Sequence, residues 1–140
     1  FIETNIDDYL AAFDPKAVDG MIMTMKAADE KWSYVRLDRR HQVAEVREKQ
    51  IISNEATVGI YNFSKGLDFV SAAESMIAKN IRTNNEFYVA PVYNELISNG
   101  KKIDIFNIGE IGNGMHGLGT PSDLNAFMKT DAASKLSRYN

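Results

Sequence analysis

The 140-residue sequence contains no cysteine, which excludes a disulfide framework, a thiolate zinc site and a cysteine nucleophile, and is compatible with a reducing cytoplasm. Two histidines, His41 and His116, are too few for a His-rich metal centre. No stretch approaches the roughly 18 uninterrupted apolar residues of a membrane helix, and the first twenty residues carry four Asp and one Glu where a signal peptide would carry Lys or Arg. Sixteen Lys plus Arg against nineteen Asp plus Glu leave a net charge of −3, so the chain as a whole offers no basic field for nucleic acid or anionic lipid. Any bound anion must be held by a local cluster. These deficits predict a cytoplasmic protein with neither a nucleic-acid nor a membrane partner. What is present, 44% hydrophobic and 25% charged residues, suits one ordinary globular domain or a large piece of one. The chain begins with Phe1 instead of Met, and an upstream extension is expected.

Local signals predict the elements. Asn5 is a candidate N-cap for a helix over 6–13, with Asp7 and Asp8 in its first turn and Ile6, Leu10 and Phe13 on one face, and Asp14-Pro15 stops it. The apolar run 20–25 reads as a strand. Residues 33–38 and 42–48 flank a polar turn and read as a hairpin, and 55–63, β-branched and aromatic, reads as a central strand buried on both faces. Apolar residues at helical spacing predict two helices, one carrying Phe69, Ala72, Ala73, Met76 and Ile77, the other running from Val89 to Ile97. Residues 102–108 alternate with period two, and Thr120-Pro121-Ser122-Asp123 places an N-cap, a first-position proline and a first-turn acid ahead of a helix over 121–128. The order α, β, hairpin, β, α, α, β, α defines an α/β fold with a mixed sheet. Ligands in such sheets bind in loops at strand ends, here 48–54, 83–86 and 109–119.

Those loops hold the candidate chemistry. Lys49 can hold a phosphate as a point charge while Glu48 accepts hydrogen bonds from sugar hydroxyls; the pair equally fits a solvated strand end. Asn84, Asn85 and Glu86 are expected to open the second amphipathic helix, either facing an anionic or hydroxyl-rich ligand or simply capping it. Gly109, Gly112, Gly114, Gly117 and Gly119 surround Met115-His116, which allows backbone approach to a ligand or a tight strand-to-helix connection. No Walker, GxSxG or HExxH motif occurs.

Taken together, the segments GMIMT (20–24), KWSYVRLD (31–38), VAEVREK (43–49), SNEATVGIYNF (53–63), NEFYVAPVYNELI (85–97) and MHGLGTPSDL (115–124) resemble the C-terminal part of the sugar-phosphate nucleotidyltransferase family. Members join a nucleoside triphosphate to a sugar 1-phosphate. The resemblance implies a Rossmann-like three-layer α/β/α fold with a mixed sheet, of which residues 1–140 are the acceptor-binding part and the N-terminal nucleotide-binding half is missing. It also implies Glu48 on the sugar hydroxyls, Lys49 on the sugar phosphate, Ser33 and Tyr34 beside the sugar, Asn85 and Glu86 in the same pocket, and His116 with Gly117 closing it. No catalytic residue is expected within this chain. Mg²⁺ is implied as cofactor, but the family's first metal-binding aspartate belongs to the other half, and Gly117 stands where many members carry the second. The implied partners are a sugar 1-phosphate or similar phosphorylated acceptor, a nucleoside triphosphate, and a second copy or the missing half. A nucleotide sugar for surface polysaccharide is the expected product. The alternative is a non-catalytic sugar-phosphate-binding module of the same fold, which Gly117 favours.

Overall fold

A computed structural model describes residues 1–136. Helix α1 (Ile6–Ala12) starts as its cap predicts, with Asn5 Oδ1 accepting from the Asp7 amide at 3.0 Å. The face it buries differs from the expected one. Ile6 and Leu10 are exposed, whereas Tyr9 is buried with its hydroxyl donating to the Met21 carbonyl at 2.8 Å. A tyrosine brings a large apolar ring inside once its polar tip has an acceptor.

Strands β1 (Gly20–Lys26), β2 (Tyr34–Leu37), β3 (Val43–Arg47) and β4 (Glu55–Phe63) follow. After helices α2 (Gly66–Ala78) and α3 (Val92–Ser98) come β5 (Ile103–Ile111) and β6 (Gly114–Met115). One six-stranded mixed sheet results, in the order β3-β2-β4-β1-β5-β6, with β5 parallel to β1 and β6 and the remaining pairs antiparallel. Strand β4 is interior, as expected, but only its first three residues are fully buried; the strand buried almost throughout is β1. The reason is a bulge. Ile22 pairs with Tyr61 and Thr24 with Thr57, so β4 carries two extra residues around Gly59, whose φ is +84°. Bulges bend a strand and are concentrated near functional sites.

Helices α2 and α3 cover one sheet face, packing Ala72, Met76, Val92, Tyr93 and Leu96 against Ile22, Val35, Val46 and Ile103. Each of the Val, Leu, Ile and Met side chains among them contributes roughly 1.5–3 kcal/mol on full burial. Tyr9 of α1 packs on the opposite face with Met21, Met23, Met25 and Tyr34, completing three layers. Asn94 of α3 pins the edge strand β3, accepting from the Val46 amide at 2.8 Å and donating to the Val46 carbonyl at 2.7 Å.

Helix α3 begins later than its apolar spacing predicts. Residues 83–86 form a tight turn in which Asn84 and Asn85 have φ of 50° and 64°, closed by reciprocal bonds between Thr83 and Glu86 at 3.0 and 2.9 Å. Pro91 explains the delay, since the residue before a proline is driven out of helical conformation. Two elements were not read from the sequence, β6 and the helix α5 (Asp131–Leu136) that follows α4 (Pro121–Phe127). The Thr120 cap of α4 is as expected, Oγ1 accepting from the Asp123 amide at 3.1 Å. No described helix is long and apolar enough to cross a membrane.

Candidate functional site

Antiparallel register assembles the site. Tyr34 pairs with Arg47, so one step outward Ser33 faces Glu48, and the Ser33 hydroxyl donates to the Glu48 carboxylate. On the other side of β2 the Thr57 amide donates to the Ser33 carbonyl at 2.8 Å. Thr57 in turn pairs with Thr24, and Thr24 with Asn107. A row of polar residues thus crosses five strands at one level: Glu48, Ser33, Thr57, Thr24, Asn107. Ser33, Thr57 and Thr24 are buried. Buried polar side chains are the informative exception in a core, and this row sits toward the carboxyl end of the parallel strand β1, where open α/β sheets bind ligands. Thr24 Oγ1 has no hydrogen-bond partner among the described residues.

Over the Glu48, Ser33 and Thr57 end of the row lies a cavity of about 320 Å³ whose walls also include Trp32, Gly59 and Tyr61. Tyr61 joins the polar floor by its hydroxyl, 2.9 Å from Thr57 Oγ1. Burial holds that phenol above its usual range, opposed by hydrogen bonds to Thr57 and Ser33 and assisted by the Glu48 charge. Tyr88 forms a further wall. Its hydroxyl donates to Glu86 at 2.5 Å and accepts from Lys49 Nζ at 2.9 Å. This bond is the main cause that raises the exposed Lys49 ammonium above the ordinary lysine range. Lys49 adopts φ of +53°, a left-handed turn conformation that costs an L-residue roughly 1–2 kcal/mol.

A second cavity, of about 360 Å³, is walled by Phe1, Met115, His116, Gly117, Leu118 and Asp123, and shares Lys31 and Trp32 with the first. His116 is buried, its Nε2 lying 2.7 Å from Glu3 Oε1 and its ring 5.2 Å from that of Phe127. The His116 bond is the first cause that holds the exposed Glu3 carboxyl below its usual range. Two glycines of this segment serve the chain's own packing: a Cβ at Gly114 would lie 1.8 Å from the Ile108 carbonyl oxygen, and one at Gly109 2.4 Å from that of Asn113. His116 therefore lies on a packed segment, as the tight strand-to-helix connection would have it.

Of the eight residues singled out in the sequence, Ser33 and Glu48 line the first cavity, and Lys49 and Glu86 reach its rim through Tyr88. His116 and Gly117 line the second. The Tyr34 ring is buried on the opposite sheet face, its hydroxyl donating to the Asp29 carbonyl at 2.8 Å. Asn85 is an exposed turn residue whose carbonyl accepts from Arg82 at 2.8 Å. Lys31, Trp32, Thr57, Tyr61 and Tyr88 escaped the sequence reading as site residues; alternation on β4 could have found Thr57 and Tyr61, which sit on the Glu55 face. Residues 112–117 also have the spacing GxGxxG, a match the reading overlooked. They contain β6 and open no helix, so the dinucleotide-binding context is missing.

The donor set does not suit a metal ion. No three His, Asp or Glu side chains converge among the described residues. The carboxylate beside Gly117 is that of Asp123, whose Cγ would lie 3.4 Å from a Cβ there, and its Oδ1 faces Lys31 Nζ at 3.8 Å.

This architecture is the nucleotidyltransferase α/β fold, and the resemblance found in the sequence is borne out at that level. The chain superposes on a nucleoside-diphosphate-sugar pyrophosphorylase from Vibrio cholerae RC9 with a TM-score of 0.74 and 24% identity, covering 93% of this chain and 51% of that one. A structure assigned as a glucose-1-phosphate thymidylyltransferase from Bacillus anthracis gives 0.63 and 19%, over 90% and 48% of the two chains. An inositol-1-phosphate CTP transferase from T. maritima gives 0.51 and 15%, over 85% and 46%. The chain thus spans about half the length of the solved structures it matches. No family model and no curated protein matches the sequence.

Proposed function

We infer that this chain is the acceptor-binding part of a nucleotidyltransferase that forms a nucleotide sugar and pyrophosphate from a nucleoside triphosphate and a sugar 1-phosphate. The observation that carries the reading is the cavity over the polar row, in which a carboxylate and four hydroxyls (Ser33, Thr57, Tyr61 and Tyr88) suit a polyhydroxylated ring and Lys49 at the rim suits its phosphate. The named structural neighbours act on phosphorylated acceptors of this kind.

In this reading Glu48, steadied by Ser33, orients the sugar hydroxyls, and Lys49, steadied by Tyr88 and Glu86, fixes the acceptor phosphate. An oxygen of that phosphate attacks the α-phosphorus of the nucleotide in line, and pyrophosphate leaves. Positioning and charge neutralisation supply the catalysis, and no protein nucleophile is required. The nucleotide and Mg²⁺, whose chemistry is charge neutralisation on the phosphates, would be held by groups outside these 140 residues. The lack of a carboxylate at 117 favours one second reading, a sugar-phosphate-binding module without turnover. A pyrophosphate-release assay with sugar 1-phosphate and nucleoside triphosphate tests the division of labour. The purified chain should give no release above a mock preparation, and turnover by the chain alone overturns it. The same reading carries association with a second copy or with an N-terminal half, and a cytoplasmic role in surface polysaccharide synthesis. Light scattering over a concentration series tests the association.

A further inference from the structure

Charge balance at the first cavity points past Lys49. A phosphate monoester carries about −1.5 to −2 charges at neutral pH, and the Glu48 carboxylate beside it adds another. A single rim lysine leaves this unbalanced. The other cations nearby are spoken for: Arg47 donates to Glu45 at 2.6 Å, and Arg82 donates to Asn80 and Asn85 at 2.7 and 2.8 Å while stacking 3.8 Å above the Phe87 ring. Lys31 differs. It is the cationic residue that lines the first cavity, and it lines the second as well. Its ammonium donates no hydrogen bond among the described residues. It rests 3.8 Å from Asp123 and 3.9 Å from Asp29, with the Trp32 ring centroid at 5.2 Å. Half-exposed pairs at such distances are weak, so an incoming dianion can displace them.

We propose that Lys31 is a second phosphate-binding residue, placed where the two cavities meet, with Asp123 as the resting counter-ion it leaves when an acceptor binds. This rests on the sugar-phosphate reading for the identity of the acceptor, whereas the anion site itself does not. Calorimetry on the purified chain, with inorganic phosphate and glucose 1-phosphate as probes, tests it. Lys31→Met keeps the stem on Trp32 and removes the charge; it should weaken both probes roughly 10- to 100-fold with an unchanged unfolding midpoint. Lys31→Arg restores most of the binding. Asp123→Asn should tighten both probes about 1.5- to 5-fold, the range for removing a competing exposed ion pair. Unchanged affinity in Lys31→Met, weaker binding in Asp123→Asn, or no phosphate binding by the parent chain overturns the proposal. If inorganic phosphate binds through Lys31 but glucose 1-phosphate binds no better, the anion site stands and the sugar-phosphate reading falls. If glucose 1-phosphate binds through Lys49 and is indifferent to Lys31, the reverse holds.

Discussion

Three glycine-to-alanine substitutions separate backbone conformation from steric room. At Gly59 the φ of +84° is one that an L side chain resists, yet nothing lies within 4 Å of the Cβ it would gain. The cost is therefore conformational alone, roughly 1–2 kcal/mol, reduced by roughly 0.4–1 kcal/mol because alanine restricts the unfolded chain. Gly59→Ala should destabilise by about 0.5–1.5 kcal/mol, or roughly 2–6 °C in midpoint for a domain of this size. Gly114→Ala meets both obstacles, φ of +101° and the Ile108 oxygen at 1.8 Å, so β6 must leave β5 and the loss should exceed about 4 kcal/mol. Gly66 opens α2 with ordinary φ and open space around it, and Gly66→Ala should stabilise by about 0.4–1 kcal/mol. Urea and thermal unfolding followed by circular dichroism measure all three. Because Gly59 also lines the first cavity, its alanine variant should lose acceptor affinity, while Gly66→Ala should not. Equal losses at Gly59 and Gly114, or a gain at Gly59, would refute the bulge that shapes the cavity floor.

Further outcomes follow from single contacts. Lys49→Ala should weaken acceptor-phosphate binding roughly 10- to 100-fold in calorimetry, with the fold intact because the side chain is exposed. Lys79 and Ser75 hold the Glu95 carboxyl below its usual range. A depressed folded pKa gives stability that is present above the unfolded value near 4.5 and is lost as pH falls through the folded one. Glu95→Gln should therefore be less stable than the parent at pH 7, on the order of 1–2 kcal/mol, and the two should converge in acid titration. Thr120→Ala removes the α4 cap and should cost about 0.5–2 kcal/mol in urea unfolding.

What was legible in the sequence is what short-range chemistry decides. Asn5 and Thr120 cap the helices they announce, the hairpin closes where its polar turn lies, and the strand at 20–25 appears in place. Spacing alone could not say which face of α1 is buried, because Tyr9 depends on an acceptor at Met21 on another element. Nor could it foresee that Pro91 delays α3, turning 83–86 into a free-standing turn. The site was half legible. Glu48 and Lys49 were visible as a strand end and Ser33 only through the family resemblance, but the row through Thr57 and Thr24 exists only once five strands are in register. The burial of His116 was hidden because its partner, Glu3, lies 113 residues away.

The central claim is that the cavity above Ser33 and Glu48 takes a sugar 1-phosphate. Titrating the purified chain calorimetrically with glucose 1-phosphate, glucose and a nucleoside triphosphate tests it most directly. The account predicts saturable binding of the sugar phosphate that Glu48→Gln weakens through the sugar and Lys49→Ala through the phosphate, with weaker binding of glucose and of the triphosphate. Binding of the triphosphate in preference to the sugar phosphate, or sugar-phosphate binding indifferent to both substitutions, would contradict it.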